Sequence, residues 1–357
     1  MSSILILGAS YGSLLATRLA LAGHNVSLVC TAPTAALVNT SGTEVRFPVK
    51  GRPGLVHVPS SALRGSIRAA VPADVQPAGF DMAVLAMQES QYAEDGVRQL
   101  VQRIARVGIP CLAVMNMPPP PFLRRIAGLD VDALAPCFTD PALWQAFRPG
   151  SVSLASPDPQ AFRPQGEGKN VLEVGLPTNF KCAPFERDED TRLLQRLAAD
   201  IEASRFMVDG ESIELPVKLK VHESLYVPLA KWPMLLAGNY RCIGDTDMVP
   251  IRDAVHGDIE RSRAVYQWVA DLCVALGAQA EDLVPFEKYA QAAASLRKPS
   301  SAARALFGGA TAIELVDLLV QRIAAQRGRA HAELDQVVAR VDARLAANRA
   351  PRQALAA

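Results

Sequence analysis

The chain reads as an α/β protein: a doubly wound sheet at the N-terminus followed by an all-helical C-terminal domain. Three observations predict this. The first 30 residues run strand, glycine turn, helix, strand; short apolar runs continue to about residue 210; beyond that the periodicity becomes long and helical. The 357 residues suffice for two cores at roughly 150 residues each. The expected division is 1–210 and 211–347, with 348–357 a frayed tail.

Residues 3–8, Ser-Ile-Leu-Ile-Leu-Gly, form a short apolar run that stops at a glycine, as a strand buried on both faces does. Residues 12–22 carry small and apolar side chains on a packing face and end at Gly23-His24, a helix stop. Residues 25–30 supply a parallel strand and complete one right-handed crossover. Short strands are expected at 43–47 and 55–58, a buried strand at 81–87 and a helix at 92–106. The run 109–115 enters Asn116 and four prolines, Pro118 to Pro121, which predict a stiff non-helical loop at a strand's carboxyl end. Ligands of open α/β sheets gather at such ends. Residues 151–180 alternate and suggest a closing antiparallel portion; 188–204 reads as a helix and 206–209 as a last strand. Helices are expected at 217–236, 258–276, 289–296, 312–326 and 331–347.

The turn after the first strand is Gly8-Ala9-Ser10-Tyr11-Gly12-Ser13. A dinucleotide loop needs glycine for the tight turn, for approach of the backbone to the pyrophosphate, and for close helix–strand packing. Gly8 and Gly12 fill the outer roles; Ser10 replaces the middle glycine, and the loop is one residue shorter than GxGxxG. Its place between a buried strand and a helix predicts a Rossmann unit and a nicotinamide dinucleotide as cofactor. The same residues match the GxSxG elbow of hydrolases, but that elbow follows several strands and requires an acid and a histidine later in the chain. The second strand ends Val29-Cys30-Thr31, without the Asp or Glu that holds the ribose hydroxyls of NAD(H). That favours NADP(H), with Thr31 able to hydrogen-bond the 2′-phosphate, although no arginine follows the strand to pair with it.

Lys plus Arg total 37 against 36 for Asp plus Glu, so no bulk charge favours nucleic acid or an anionic membrane. The basic groups Arg124–Arg125, Arg297–Lys298 and Arg322, Arg327 and Arg329 read as solvated helix faces. No apolar stretch approaches the roughly 20 residues that cross a bilayer, and Met-Ser-Ser leads directly into a strand, so a cytoplasmic location is expected. The six cysteines contain no CxxC pair and read as buried reduced thiols. The five histidines are scattered without ligand spacing, so no metal is expected.

In their order these parts resemble the ketopantoate reductase (2-dehydropantoate 2-reductase) family. The matching pieces are the Ile4-to-Gly8 run, Ala22-Gly23-His24 after the first helix, the strand-end Asn116, and a Lys and Asn eight apart, Lys231 and Asn239. The resemblance covers nearly the whole chain. It implies a C-terminal domain of the 6-phosphogluconate dehydrogenase type serving substrate binding and dimerisation, and hydride transfer from NADPH to the keto group of a 2-keto acid. By it, Lys231 is the general acid on the carbonyl oxygen and Asn239 binds substrate together with Ser301, of the pair Ser300-Ser301, and Glu314. The cofactor set is Gly8, Ala9, Ser10, Tyr11, Gly12, Ser13, Thr31, Met87 and Asn116. The chemistry is consistent, since hydride addition builds negative charge on oxygen that an ammonium stabilises and protonates. Two α-helical turns separate Lys231 from Asn239, so both would face one cleft. The plainer alternative is a surface lysine beside a Pro-kinked turn.

Several family features are replaced. Leu235 stands where a second Asn is usual, Met87 where a Lys is usual, and Met117 where a Gly follows Asn116; Pro233 should bend the helix just past Lys231. These changes point away from ketopantoate itself toward a larger or less charged substrate. They leave open a non-redox lyase or hydratase reusing the cleft, and a dinucleotide-binding sensor without catalysis. His222 and Glu223, read as two helical turns before Lys231, fit a solvated helix face; Trp232 and Tyr240 fit core packing or a cleft wall.

Overall fold

Ile4, Leu5, Ile6 and Leu7 are all fully buried, and a strand buried on both faces sits at the centre of a parallel sheet. The computed structural model describes residues 1–350. Its strands are β1 (Ser3–Leu7), β2 (Asn25–Val29), β3 (Glu44–Pro48), β4 (Leu55–Pro59), β5 (Ser66–Ala70), β6 (Met82–Leu85), β7 (Cys111–Val114), β8 (Val152–Ser156), β9 (Gln160–Phe162), β10 (Val171–Leu176), β11 (Phe180–Cys182), β12 (Phe206–Val208), β13 (Glu211–Ile213) and β14 (Leu219–Val221). The main sheet has the order β14-β11-β8-β7-β6-β1-β2-β5. From β5 to β8 every pairing is parallel. The chain order across that part, β5-β2-β1-β6-β7-β8, reverses at β1, which is the predicted doubly wound topology. The closing portion is partly antiparallel: β11 runs against β8, and β14 then adds parallel to β11. The strands expected near 43–47 and 55–58 form as β3 and β4, in a second sheet ordered β4-β3-β10-β9.

The helices are α1 (Gly12–Leu21), α2 (Ala32–Ser41), α3 (Asp95–Val107), α4 (Pro120–Leu123), α5 (Pro141–Trp144), α6 (Asp188–Ala203), α7 (Lys231–Met234), α8 (Ile251–His256), α9 (Ile259–Leu276), α10 (Phe286–Ala293), α11 (Ser301–Phe307), α12 (Val316–Gln326) and α13 (Ala332–Arg349). No helix among the described residues is long and apolar enough to cross a membrane. The proline run is not wholly a loop. Pro119 is extended, and Pro120 and Pro121 open α4, where the missing N–H groups would have had no acceptor in any case.

The chain divides into two compact units, Met1–Arg125 with Asp140–Pro228, and Ile126–Thr139 with the chain from Leu229 onward. The boundary expected near 210 therefore lies at 228, and of the helix expected at 217–236 only the part from Val227 onward is helical, as a 3₁₀ turn, α7 and a π-type turn. Leu219–Val221 pairs instead with β11, and His222 donates its amide to the Cys182 carbonyl, so His222 and Glu223 are not on a helix leading to Lys231. Val217 just before β14 has φ 67°, a conformation that a β-branched residue rarely adopts. It is held there by Arg18, a buried residue of α1, whose guanidinium donates to the Val217 carbonyl at 3.0 Å and the Ile201 carbonyl at 3.1 Å. Residues 206–209 are likewise not the last strand, since β12 turns back into β13 as a separate hairpin.

Residues 126–139 join the helical unit through its C-terminal helices. Asp130 and Gln326 exchange two hydrogen bonds of 3.0 and 2.8 Å, and Arg327 donates to the Ala127 carbonyl. In the expected tail, Asn348 and Arg349 complete α13, and the Asn348 amide ties the Leu306 and Ala310 carbonyls. Residues 351–357 lie outside the described part.

Candidate functional site

Gly8 ends β1 at φ +109°, and a Cβ added there would stand 2.6 Å from the Ala86 carbonyl oxygen and 2.7 Å from Met87 Cγ. Only glycine fits. Its amide donates to the Val29 carbonyl at 2.9 Å, which draws the carboxyl ends of β1 and β2 together. At Gly12 an added Cβ would meet Ile6 Cγ2 at 2.6 Å, so glycine lets α1 lie directly on β1. Ala9 is buried and Ser10 exposed. The Ser13 hydroxyl donates to the Ala9 carbonyl at 2.5 Å and its amide to the Ser10 carbonyl at 3.3 Å, which closes the short loop into the helix. The first turn of α1 contains no acid, leaving its positive end unopposed for an anion. A backbone cradle that admits no Cβ and runs straight into helix amides fits a dinucleotide pyrophosphate.

Tyr11 departs from the loop. Its hydroxyl donates to the Pro159 carbonyl at 2.5 Å and its ring meets Phe180 edge-on at 5.8 Å. Burial, with Asp158 nearby, holds its phenol well above the ordinary range. The other predicted cofactor residues share the carboxyl edge of the sheet. Met87, half-buried, follows β6 and lies against Gly8, with its amide donating to the Tyr92 hydroxyl at 3.0 Å. Thr31 is exposed after β2, its hydroxyl 3.1 Å from that of Thr34. Asn116 is half-buried just past β7. The switch point of the sheet lies between β1 and β6, where Gly8 and Met87 meet.

In the helical unit, Lys231 opens α7, which gives way after four residues to a π-type turn at Leu235–Asn239. The wider turn means that Lys231 and Asn239 are not two α-helical turns apart, which corrects the expected geometry. Pro233 supplies the local cause, having no N–H to continue the ladder. The Met234 carbonyl instead accepts the Tyr289 hydroxyl at 3.0 Å, and a Cβ on Gly238 would collide with that same hydroxyl. Lys231 and Asn239 are both half-buried; Trp232 and Tyr240 are buried in packing.

Ser300, not Ser301, touches the Asn239 backbone. It is 2% exposed, donates to the Asn239 carbonyl at 2.7 Å, and accepts the Ala303 amide as the cap of α11. Ser301 is exposed in the first turn of that helix. Glu314 is buried, and its carbonyl accepts the Tyr240 hydroxyl, which also receives the Val316 amide at 3.1 Å. Burial, then Asp317 and Glu314, push the Tyr240 phenol up.

Sequence reasoning missed Asp317. It is 0% exposed, and burial, aided by Asp342, pushes its carboxyl up to about 7, although the backbone amides of Leu318 and Asp317 favour the charged form. Helical spacing was the available signal, since Val320 and Ala324 follow it at three and seven residues and both are buried. Among the described residues no group of three or more His, Cys, Asp or Glu side chains is placed to hold a metal ion.

No protein-family model matches the chain, and no curated protein matches it in sequence. Solved structures do. The 2-dehydropantoate 2-reductase of Methylococcus capsulatus is 14% identical with a TM-score of 0.67, over 99% of both chains. A D-mandelate dehydrogenase solved with NADH and anilino(oxo)acetate is 14% identical with a TM-score of 0.65, over 97% of this chain and 99% of that one. A dimeric ketopantoate reductase from Staphylococcus aureus is 12% identical with a TM-score of 0.61, over 97% and 99%. The fold of this chain, its parallel sheet with flanking helices and its helical C-terminal part, is the one these enzymes have.

Proposed function

We propose that this chain is an NADPH-dependent reductase of the ketopantoate reductase type, acting on the carbonyl of a 2-keto acid other than ketopantoate. The observation that carries the reading is the glycine turn at the switch point, where Gly8 is pressed against the Ala86 carbonyl and leads into the amide end of α1. Bound NADPH would supply a hydride to the substrate's carbonyl carbon. Backbone amides of residues 9–12 hold the pyrophosphate, with Gly8 and Ser13 shaping the turn around them, Thr31 toward the adenosine ribose and Met87 and Asn116 along the sheet edge. Lys231 donates its ammonium proton to the carbonyl oxygen as negative charge develops there, and is reprotonated from water. Asn239 orients the substrate, with Ser301 and Glu314 of the same unit completing its surroundings. The apolar Met87 in place of a cation supports a less charged substrate than ketopantoate. A homodimer, like the Staphylococcus aureus enzyme, is the proposed assembly, in the cytoplasm.

The test begins with fluorescence titration of NADPH and NADH, then NADPH oxidation across a panel of 2-keto acids. Lys231→Ala should lower turnover at least tenfold while leaving NADPH affinity nearly unchanged. Failure to bind either dinucleotide refutes the reading. Binding without oxidation of any substrate points to a sensor, and full activity of Lys231→Ala removes the lysine from the mechanism.

A further inference from the structure

The end of β2 has a hydroxyl for a 2′-phosphate and no cation beside it in sequence. The structure brings one from elsewhere. After β8 the chain passes Pro157 and Asp158, the latter 3.5 Å from Lys181, and reaches Pro159, whose carbonyl receives the Tyr11 hydroxyl of the glycine loop. It then forms β9 on the edge of the second sheet. Side chains alternate along a strand. Ala161 packs against the apolar core to which Cys30 and Tyr11 also attach, while Phe162 turns outward, 45% exposed. Arg163 follows directly after the strand, and its positive charge acts on the Cys30 thiol at the end of β2, opposing the upward push of burial. Arg163 is exposed and, among the described residues, makes no ion pair or hydrogen bond. Residues 159–163 thus run from the glycine loop to the end of β2, the path of the adenosine half of a dinucleotide bound as proposed above.

We infer that Arg163, together with Thr31, recognises the 2′-phosphate of NADPH and is the residue that makes the site prefer NADPH over NADH. This rests on the dinucleotide reading. A planar guanidinium pairs with phosphate through two parallel N–H···O bonds, which an ammonium cannot reproduce. NADH, with a ribose hydroxyl in place of the phosphate, has no charge for it to meet. Tyr11 is a positioning residue here: its bond to Pro159 fixes the segment from which Arg163 projects.

The experiment is calorimetric titration of NADPH, NADH and 2′-AMP into the wild type, Arg163→Ala and Arg163→Lys. The wild type should bind NADPH at least tenfold more tightly than NADH. Arg163→Ala should erase most of that ratio by weakening NADPH and 2′-AMP while leaving NADH unchanged, and Arg163→Lys should fall between. A second readout tests the placement without any cofactor: alkylation of Cys30 should slow in Arg163→Ala, because its thiol loses the neighbouring positive charge. A wild type that binds neither dinucleotide overturns the cofactor reading and this inference with it. A wild type that binds both, with a ratio unmoved by Arg163→Ala, overturns the inference alone, as does unchanged Cys30 reactivity in that variant.

Discussion

Replacing Asp317 by Asn should stabilise the protein at pH 8 and leave it unchanged at pH 4. The carboxyl is 0% exposed and its pKa rises from 3.8 to about 7 on folding. At about 1.4 kcal/mol per pH unit, that rise is worth about 4 kcal/mol. The sign follows from proton binding. Between pH 4 and 7 the native state holds this proton and the unfolded chain does not, so stability falls as pH rises through that window and levels off above it. Asn removes the charge and puts an amide N–H where the protonated carboxyl has its O–H. Neither carboxyl oxygen has a hydrogen-bond partner among the described residues, so the two neutral side chains leave similar polar groups unpaired and the pH-dependent penalty alone disappears. Urea denaturation from pH 4 to 8, followed by tryptophan fluorescence, compares the two proteins. Other titrating groups, among them Asp342 on α13, are common to both and largely cancel in the difference. The variant should gain up to about 4 kcal/mol over the wild type at pH 8, and the gap should close toward pH 4. Equal stability at pH 8, or parallel pH profiles, would refute the assignment of a buried carboxyl burdened by its charge.

Two further perturbations probe the fold around the glycine turn. Gly8→Ala forces a Cβ onto a backbone at φ +109° and into the Ala86 carbonyl; the conformation alone costs about 1–2 kcal/mol. The urea midpoint should fall and dinucleotide binding should be lost, and retention of both would show that the turn relaxes freely. Arg18→Met removes both donors to the Val217 and Ile201 carbonyls, at about 1–3 kcal/mol for each buried group left unpaired. Hydrogen exchange should show β14 losing protection first, and a variant within about 0.5 kcal/mol of wild type would show the contact to be dispensable.

The parts of the chain legible in sequence are those whose cause is local. The strand at 3–7, the glycine stop and the helix after it follow from apolar runs and turn chemistry within a few residues, and the structure keeps all three. The first half of the helix expected at 217–236 failed for the opposite reason. It has helical composition, yet Leu219–Val221 finds a partner in β11, and Val217 is held in a left-handed turn by an arginine on α1, far away in sequence. β5 escaped notice because it is an edge strand with a single large apolar side chain, Ile67, next to an exposed Arg68. Site residues sort in the same way. Gly8 and Gly12 are marked by their neighbours, and the structure shows why each must be glycine, whereas the hydrogen bond from Ser300 to the Asn239 carbonyl is fixed by a cap at the start of another helix and leaves no signal near Asn239 in sequence.

The proposed preference for NADPH depends on the same distinction. Reading only the residues after β2, one finds Thr31 and no cation; reading the sheet, one finds Arg163 delivered by a strand that follows β8 and is tied back to the glycine loop through Tyr11. The loop that departs from GxGxxG by length is thus the one that puts a tyrosine where it can hold that strand. If shortening the loop and supplying Arg163 are one change, Tyr11→Phe should weaken NADPH more than NADH while leaving Gly8 and α1 in place. Equal loss for both dinucleotides in that variant would mean that Tyr11 supports only the pyrophosphate turn, and that Arg163 needs no help from it.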